Sequence, residues 1–209
     1  MKTPIRYLFL VLTLFVGSNL RSTAANSAKE TIKNLQDAFI GESTASAKYA
    51  AFAKKAREEG QDRIGLLFEA ASKAESIHAG NHKAVLEQIG GAIPSLDLKF
   101  DVKSTKENLQ NAIEGESYEV QTMYPDFLKK AQEEGVQLAM ISFNYAYQTE
   151  KKHKELYQNA LFALKNKTTA NLSPVYSVCT VCGNTYDTKS PERCGICMTP
   201  KERFVQFTL

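Results

Sequence analysis

The chain has no tryptophan, only three histidines and four cysteines in 209 residues, and little surplus charge. Lys and Arg total 26 against 23 Asp and Glu, a formal +3 with no basic run, which argues against a dedicated nucleic-acid binder. Also missing is an apolar run of the ~20 residues that a membrane-spanning helix needs. The longest candidate, Tyr7–Val16, is ten residues. Disorder and fibrous repeats are excluded by a hydrophobic content of 43% and a charged content of 23%. The length suits one sizeable domain and a small one. The information then lies in where the scarce residues fall.

Lys2 and Arg6 precede that apolar run, and Gly17, Ser18 and Ser22-Thr23-Ala24-Ala25 follow it. A charged start, a short apolar stretch and a small-residue cleavage site predict a signal peptide over residues 1–25 and an exported, periplasmic protein. The alternative is an uncleaved N-terminus that associates with a membrane. No cysteine lies near the cut, so a lipid-modified cysteine anchor is excluded. Residues 1–25 carry Lys2, Arg6, Arg21 and no acid, so the remainder balances to zero.

The sequence repeats itself. Asn34-Leu35-Gln36-Asp37-Ala38-Phe39-Ile40-Gly41-Glu42-Ser43 returns 74 positions later as Asn108-Leu109-Gln110-Asn111-Ala112-Ile113-Glu114-Gly115-Glu116-Ser117. Lys54-Lys55-Ala56-Arg57-Glu58-Glu59-Gly60 returns 75 positions later, as does Glu75-x-x-His78, as Glu150-x-x-His153. One inserted residue reconciles the offsets. A long unit occurring twice reads as two duplicated halves of one domain.

Each half predicts two helices. Ser27-x-x-Glu30 and Ser104-x-x-Glu107 read as capping boxes. The helices they open run to Gly60 and Gly135, where glycine suits a left-handed ending. Second helices follow over about Asp62–Gln88 and Gln137–Lys165. Tight turns make each pair antiparallel, and the longer link through Gly90-Gly91-Ala92-Ile93-Pro94 joins the halves. The expected fold is mainly α, a ferritin-like four-helix bundle with one crossover connection over residues 26–166.

The faces that should be buried carry charge. The first helix reads Leu35, Ala38, Glu42, Ala45, Tyr49, Phe52, Ala56, and the second Ile64, Phe68, Ala71, Glu75, His78, His82, Val85, Ile89. The third reads Leu109, Ala112, Glu116, Glu119, Met123, Phe127, and the fourth Leu138, Ile141, Glu150, His153, Tyr157, Leu164. An isolated buried carboxylate takes up a proton rather than stay charged, so five glutamates and two histidines converging at one level call for cations. Residues three apart lie about 60° apart around a helix, making each Glu-x-x-His a two-ligand face. One Glu from each of two helices and Glu-x-x-His from the other two is the di-iron carboxylate pattern, and these donors suit iron or manganese. His82 reads as a histidine beside the site or at the helix surface. Glu58, Glu59, Glu133 and Glu134 read as solvated. Tyr49 and Tyr124 read equally as core aromatics or as hydrogen-bond partners of the ligand carboxylates.

After a polar linker, residues 167–174, come Cys179-x-x-Cys182 and Cys194-x-x-Cys197, with eleven residues between the pairs. Residues 175–209 are too few for a self-sufficient core, and the spacing suits four thiolates around one iron or zinc; two disulfides are the alternative. Tyr176, Tyr186, Phe204 and Phe207 are the candidate aromatic core of this small unit.

These motifs together resemble the rubrerythrin family across almost the whole chain after residue 25. Gly41-Glu42-Ser43, Glu75-x-x-His78, Gly115-Glu116-Ser117-Tyr118-Glu119, Met123-Tyr124-Pro125 and Glu150-x-x-His153 are similar to its di-iron motifs in order, and the cysteine knuckles to a rubredoxin-like domain. The resemblance implies two irons held by Glu42, Glu75, His78, Glu116, Glu119, Glu150 and His153, with Glu75 and Glu150 bridging. It implies that Glu119 ligates in the oxidised form and gives way to His78 on reduction, with Tyr49 and Tyr124 near the site. It also implies one iron on Cys179, Cys182, Cys194 and Cys197, passing electrons to a di-iron centre that reduces hydrogen peroxide to water. The partners implied are an electron-donor protein or reductase and a second copy of the chain, each copy's rubredoxin-like domain approaching the other's di-iron site. The second knuckle departs from the family's common Cys-Pro-x-Cys: Gly195 stands at the proline, which leaves open a looser loop or an altered potential or metal preference. The rival readings are a ferroxidase or iron-storage protein, and a zinc ribbon attached to a di-metal module that binds a partner.

Overall fold

The computed structural model describes residues 28–209. The predicted signal peptide and Ser27, half of a predicted capping box, lie outside them. Helix α1 spans Lys29–Glu58 and α2 Asp62–Ile89. After the 90–104 connection, α3 spans Thr105–Tyr118, a π-helical segment spans Glu119–Met123, α4 spans Tyr124–Glu133 and α5 spans Gln137–Lys165. Both turns within the pairs use the predicted glycines: Gly60 and Gly135 each adopt φ +70°, a conformation that costs an L side chain energy. The bundle is ferritin-like, with the 90–104 connection as its crossover.

The third predicted helix is therefore one rod in three parts, with Pro125 opening its last part. In the π segment the Tyr124 N–H reaches back five residues to Glu119 O. A π turn is the form that a single extra residue takes inside an α-helix. The repeat places the inserted residue in the same stretch, because Ser43 and Ser117 are 74 apart while Tyr49 and Tyr124 are 75 apart. Glu119 sits on this insertion and has no acidic counterpart in the first half, where Thr44 and Ala45 stand.

The two halves cap one another. The Ser104–Glu107 capping box forms as predicted. Beside it, the Glu59 carboxylate accepts the Thr105 N–H at 2.9 Å, and the Glu134 carboxylate accepts the Thr31 and Glu30 N–H groups at 2.8 and 3.2 Å. These two glutamates, expected to be solvated, satisfy orphan donors at the positive ends of α3 and α1. Thr31 and Thr105 are repeat partners, as are Glu59 and Glu134, so the duplication is visible as a reciprocal pair of caps.

The buried stripe of α1 is the predicted one throughout. That of α5 is not: Leu138 and Ile141 are exposed, while Ala139, Ser142, Phe143 and Ala146 face inward. Counting back from Glu150 in helical steps arrives at 146, 143 and 139, so helical phase overrides side-chain hydrophobicity in this first part of the helix.

The C-terminal unit is a three-stranded antiparallel sheet in the order β2-β1-β3, with β1 at Val175–Cys179, β2 at Thr185–Tyr186 and β3 at Phe204–Thr208. Its expected aromatic core divides in two. Tyr186 and Phe204 pack together with ring centres 5.8 Å apart, whereas Tyr176 and Phe207 join the apolar cluster of the bundle around Phe52, Phe68 and Tyr157. The small unit thus sits on the bundle of its own chain. Among the described residues, no helix is long and apolar enough to cross a membrane.

Candidate metal centres

Four helical rods deliver the predicted charged residues to one place. Glu42, Glu75, Glu116, Glu150, His78 and His153 are all buried in the bundle interior. They fall into two sets of four. In one, ligand atoms of Glu42, Glu75, His78 and Glu150 all lie within 4.8 Å of each other; in the other, those of Glu75, Glu116, Glu150 and His153 do. Glu75 and Glu150 belong to both sets, as bridging carboxylates must. His78 Nδ1 is 2.9 Å from Glu75 and 2.8 Å from Glu150, and His153 Nδ1 is 3.0 and 2.8 Å from the same two residues. Glu119, half-buried on the π segment, joins neither set, so His78 occupies the position for which the resemblance implies that the two compete.

The donor chemistry of this arrangement suits cations. One carboxylate oxygen each of Glu42 and Glu75, both of Glu150 and the His153 Nδ1 atom are buried and make no well-aligned hydrogen bond, even where His153 Nδ1 lies within 3.0 Å of Glu75 and Glu150. Buried polar atoms that meet without proper hydrogen-bond geometry are rare in folded interiors, and five around one point fit two bound cations. The charge balance agrees. Burial, with Glu119, Glu75 and Glu150 nearby, pushes the Glu42 carboxyl well above its usual range, and burial with Glu150 does the same to Glu116 and Glu119. Burial works against the charged forms of His78 and His153 too, but the facing Glu150 and Glu75 carry them to about 10 and about 9. Glu75 is drawn down to about 2 against its burial, chiefly by His153 and then His78.

Tyr49 donates to Glu116 at 2.7 Å and Tyr124 donates to Glu42, so both tyrosines hold ligand carboxylates and both are buried in the core. His82 is wholly buried, not at the surface, and belongs to neither set.

The backs of both histidines are held by the C-terminal unit. His78 Nε2 lies 3.1 Å from the Cys182 carbonyl oxygen, and His153 Nε2 lies 2.9 Å from Thr185 Oγ1. Each ring thereby presents Nδ1 to the carboxylates, because donation through one nitrogen fixes the other as the ligating atom. Asn81 Nδ2 donates to the Val181 carbonyl at 2.9 Å, and Lys152 Nζ donates to Asn184 Oδ1 at 2.7 Å, adding to the same contact. The approach is tight at Gly183, φ +78°, where a Cβ would stand 2.2 Å from His78 Nε2. The resemblance implies such an approach between subunits; here one chain makes it to itself.

Cys179, Cys182, Cys194 and Cys197 are free, and their sulfurs also lie within 4.8 Å of one another. The pairs Cys179/Cys197 and Cys182/Cys194 are each 3.5 Å apart, close to the ~3.8 Å edge of a tetrahedron of sulfurs about 2.3 Å from one ion. The two predicted knuckles are built alike: the Gly183 N–H bonds to Cys179 O and the Met198 N–H to Cys194 O, both at 3.0 Å. Gly195 ties its loop to the strand opposite. Its N–H donates to Tyr186 Oη at 2.8 Å, a bond that a proline could not make.

The rubrerythrin family profile matches residues 33–161. Nigerythrin of Nitratidesulfovibrio vulgaris is 36% identical over 191 residues, covering 90% of this chain and 92% of that one. Rubrerythrin-2 of Clostridium acetobutylicum is 35% identical over 180 residues, covering 83% and 94%. Among solved structures, fully reduced, all-ferrous nigerythrin superposes with a TM-score of 0.77 at 38% identity, covering 85% of this chain and 86% of that chain. An open-pore ferritin from Archaeoglobus fulgidus, 12% identical with a TM-score of 0.57, shares the fold.

Proposed function

The chain belongs to the rubrerythrin family, and from that premise we propose that it is a non-haem di-iron peroxidase that reduces hydrogen peroxide to water. The observation that carries the reading is the contact between the two sites: a knuckle of the four-cysteine cluster touches His78, itself a member of one four-residue set. A storage protein has no need of a one-electron carrier placed against its iron site, and a structural zinc ribbon has no need to touch a ligand.

Glu42, Glu75, His78 and Glu150 would hold one iron, Glu75, Glu116, Glu150 and His153 the other, and the four cysteines a third. When bound, the paired irons supply the two electrons that cleave the O–O bond, and the thiolate-bound iron returns them one at a time. Glu119, on the π turn, would be the reserve carboxylate that the resemblance implies trades places with His78. Two protons must reach the departing oxygens. The Glu119 carboxyl, whose neutral form is favoured by burial and then by Glu150 and Glu75, is one donor at hand. Cys182 O fixes the tautomer of His78, so the electron inlet and the ligand geometry share one hydrogen bond.

The proposal includes an electron-donor protein or reductase, a homodimer, and export after removal of residues 1–25; N-terminal sequencing of the purified native protein tests the last. For the activity, protein purified anaerobically is analysed for iron and zinc, reduced, and mixed with peroxide or with O2 in a stopped-flow instrument. Three irons per chain and reoxidation faster with peroxide are expected. Preference for O2 with catalytic turnover of added ferrous ion would establish the ferroxidase instead, and a colourless, zinc-filled cysteine site would remove the relay.

A further inference from the structure

His82 is the third buried histidine of the bundle and has no role in the two ligand sets. Both its ring nitrogens are engaged: Ser142 Oγ lies 2.8 Å from Nδ1 and Tyr124 Oη 3.2 Å from Nε2. The Tyr124 hydroxyl donates its single proton to Glu42 Oε1, so towards His82 its oxygen must accept. Nε2 therefore carries the imidazole proton, and Nδ1 accepts from the Ser142 hydroxyl. All donors point one way, from Ser142 through His82 and Tyr124 to Glu42.

The duplication shows that this chain is particular to one half. Tyr49 is the repeat partner of Tyr124, Tyr157 stands in the place of His82, and Leu67 in the place of Ser142. On that side Tyr49 holds Glu116, but the buried Tyr157 hydroxyl behind it has no hydrogen-bond partner among the described residues and ends in the apolar cluster. Among the described residues, the chain that runs from an anchoring hydroxyl, Ser142, to a ligand-set carboxylate lies behind Glu42, which shares its set with His78.

We propose that His82 is a positioning residue of the di-metal centre, holding the Tyr124 hydroxyl with its proton aimed at Glu42 and so fixing the orientation in which that carboxylate ligates. This rests on the di-metal reading and is independent of peroxide chemistry. The test is an anaerobic titration of metal-free, full-length protein with Fe2+ against a chromophoric chelator. His82→Leu keeps apolar bulk beside Phe143 and Tyr124 but removes both polar atoms, while His82→Gln restores a donor and an acceptor.

His82→Leu is expected to weaken the weaker di-metal binding step about 10- to 100-fold, as loss of an outer-shell partner does. His82→Gln should recover most of that affinity, with the cysteine site loading normally in both. Equal binding by His82→Leu and wild type overturns the proposal. So does a loss in His82→Gln as deep as in His82→Leu, the pattern of a packing role. Wild-type protein that binds only the iron of the cysteine site would sink the di-metal reading itself, a distinguishable failure. Should His82→Leu not fold, the tautomer decides. Long-range nitrogen–proton correlation spectra of zinc-loaded wild-type protein should show a protonated Nε2 and a bare Nδ1; a proton on Nδ1 overturns the proposal.

Discussion

Replacing Gly183 by alanine places a methyl group 2.2 Å from His78 Nε2, 2.7 Å from its Cδ2 and 3.2 Å from the Ala74 carbonyl oxygen. Ordinary van der Waals separation is about 3.5 Å, so the knuckle must retreat by roughly 1 Å. The bond between His78 Nε2 and Cys182 O, now 3.1 Å, then passes the length at which it counts as a hydrogen bond. Leaving those buried groups unpaired costs about 1–3 kcal/mol. The left-handed backbone, φ +78°, adds about 1–2 kcal/mol for any L side chain. Gly60→Ala separates the two effects, because Gly60 has φ +70° with nothing within 4 Å of its would-be Cβ. It should show the backbone cost alone. Gly183→Ala should lower Tm by on the order of 10 °C, at 2–4 °C per kcal/mol for a chain of this size. It should also weaken the di-metal site and slow reoxidation of the thiolate-bound iron after a peroxide pulse, with the visible thiolate band unshifted. If Gly183→Ala matches Gly60→Ala in both Tm and reoxidation, the docked geometry is wrong.

Metal uptake by the di-metal site should release protons and tighten as pH rises between about 5 and 8. His78 and His153, at about 10 and about 9, hold protons there without metal, burial favours the neutral forms of Glu42 and Glu116, and Glu75 at about 2 is already ionised. Calorimetry in buffers of different ionisation enthalpy counts those protons, and a pH-independent affinity would contradict the burial argument. Glu134→Ala should destabilise the bundle by about 1 kcal/mol in thermal unfolding, the usual cost of a lost cap. Hydrogen bonds from the Thr31 and Glu30 N–H groups lower the Glu134 pKa despite some burial, so its contribution is complete above ~4.5 and disappears as pH falls through the lowered folded value. Met198 has φ +61° and its side chain is exposed, so Met198→Gly should stabilise the second knuckle by about 1 kcal/mol, read as slower metal loss to a chelator. Mixing chains that carry Cys194→Ser with chains that carry Glu150→Ala should restore no peroxidase turnover, because the knuckle serves its own bundle; recovered turnover would place the relay between subunits.

Much of the site is legible because duplication removes coincidence. One Glu-x-x-His arises readily by chance, but two at matched repeat positions, on faces that must be buried, leave few alternatives to metal. The buried stripe of α1 is likewise readable, since Leu35 through Ala56 keep phase over six turns. At the start of α5 the reading fails: Leu138 and Ile141 are apolar yet out of phase with Glu150. The caps from Glu59 and Glu134 are invisible in sequence because each acts on a helix of the other half. A histidine such as His82 is ambiguous until its neighbours on α4 and α5, Tyr124 and Ser142, are placed beside it. The N–H that Gly195 supplies in place of a proline finds its acceptor, Tyr186 Oη, only once the knuckle is folded.

Residue identity and spacing alone determined a duplicated bundle, the donor sets and the four-thiolate cluster, since those follow from local periodicity and the cost of burying charge. The one-residue difference between the repeat offsets even marks the π turn that carries Glu119. Tertiary structure alone decided which atoms of the histidines face the clustered carboxylates, because Cys182 and Thr185 approach from a separate unit more than 100 and about 30 residues away in sequence from the rings they hold. It also decided that the halves differ behind Glu42 and Glu116. A hydrogen-bond chain has a direction only when every donor has found its acceptor, and these acceptors are brought together by packing between helices.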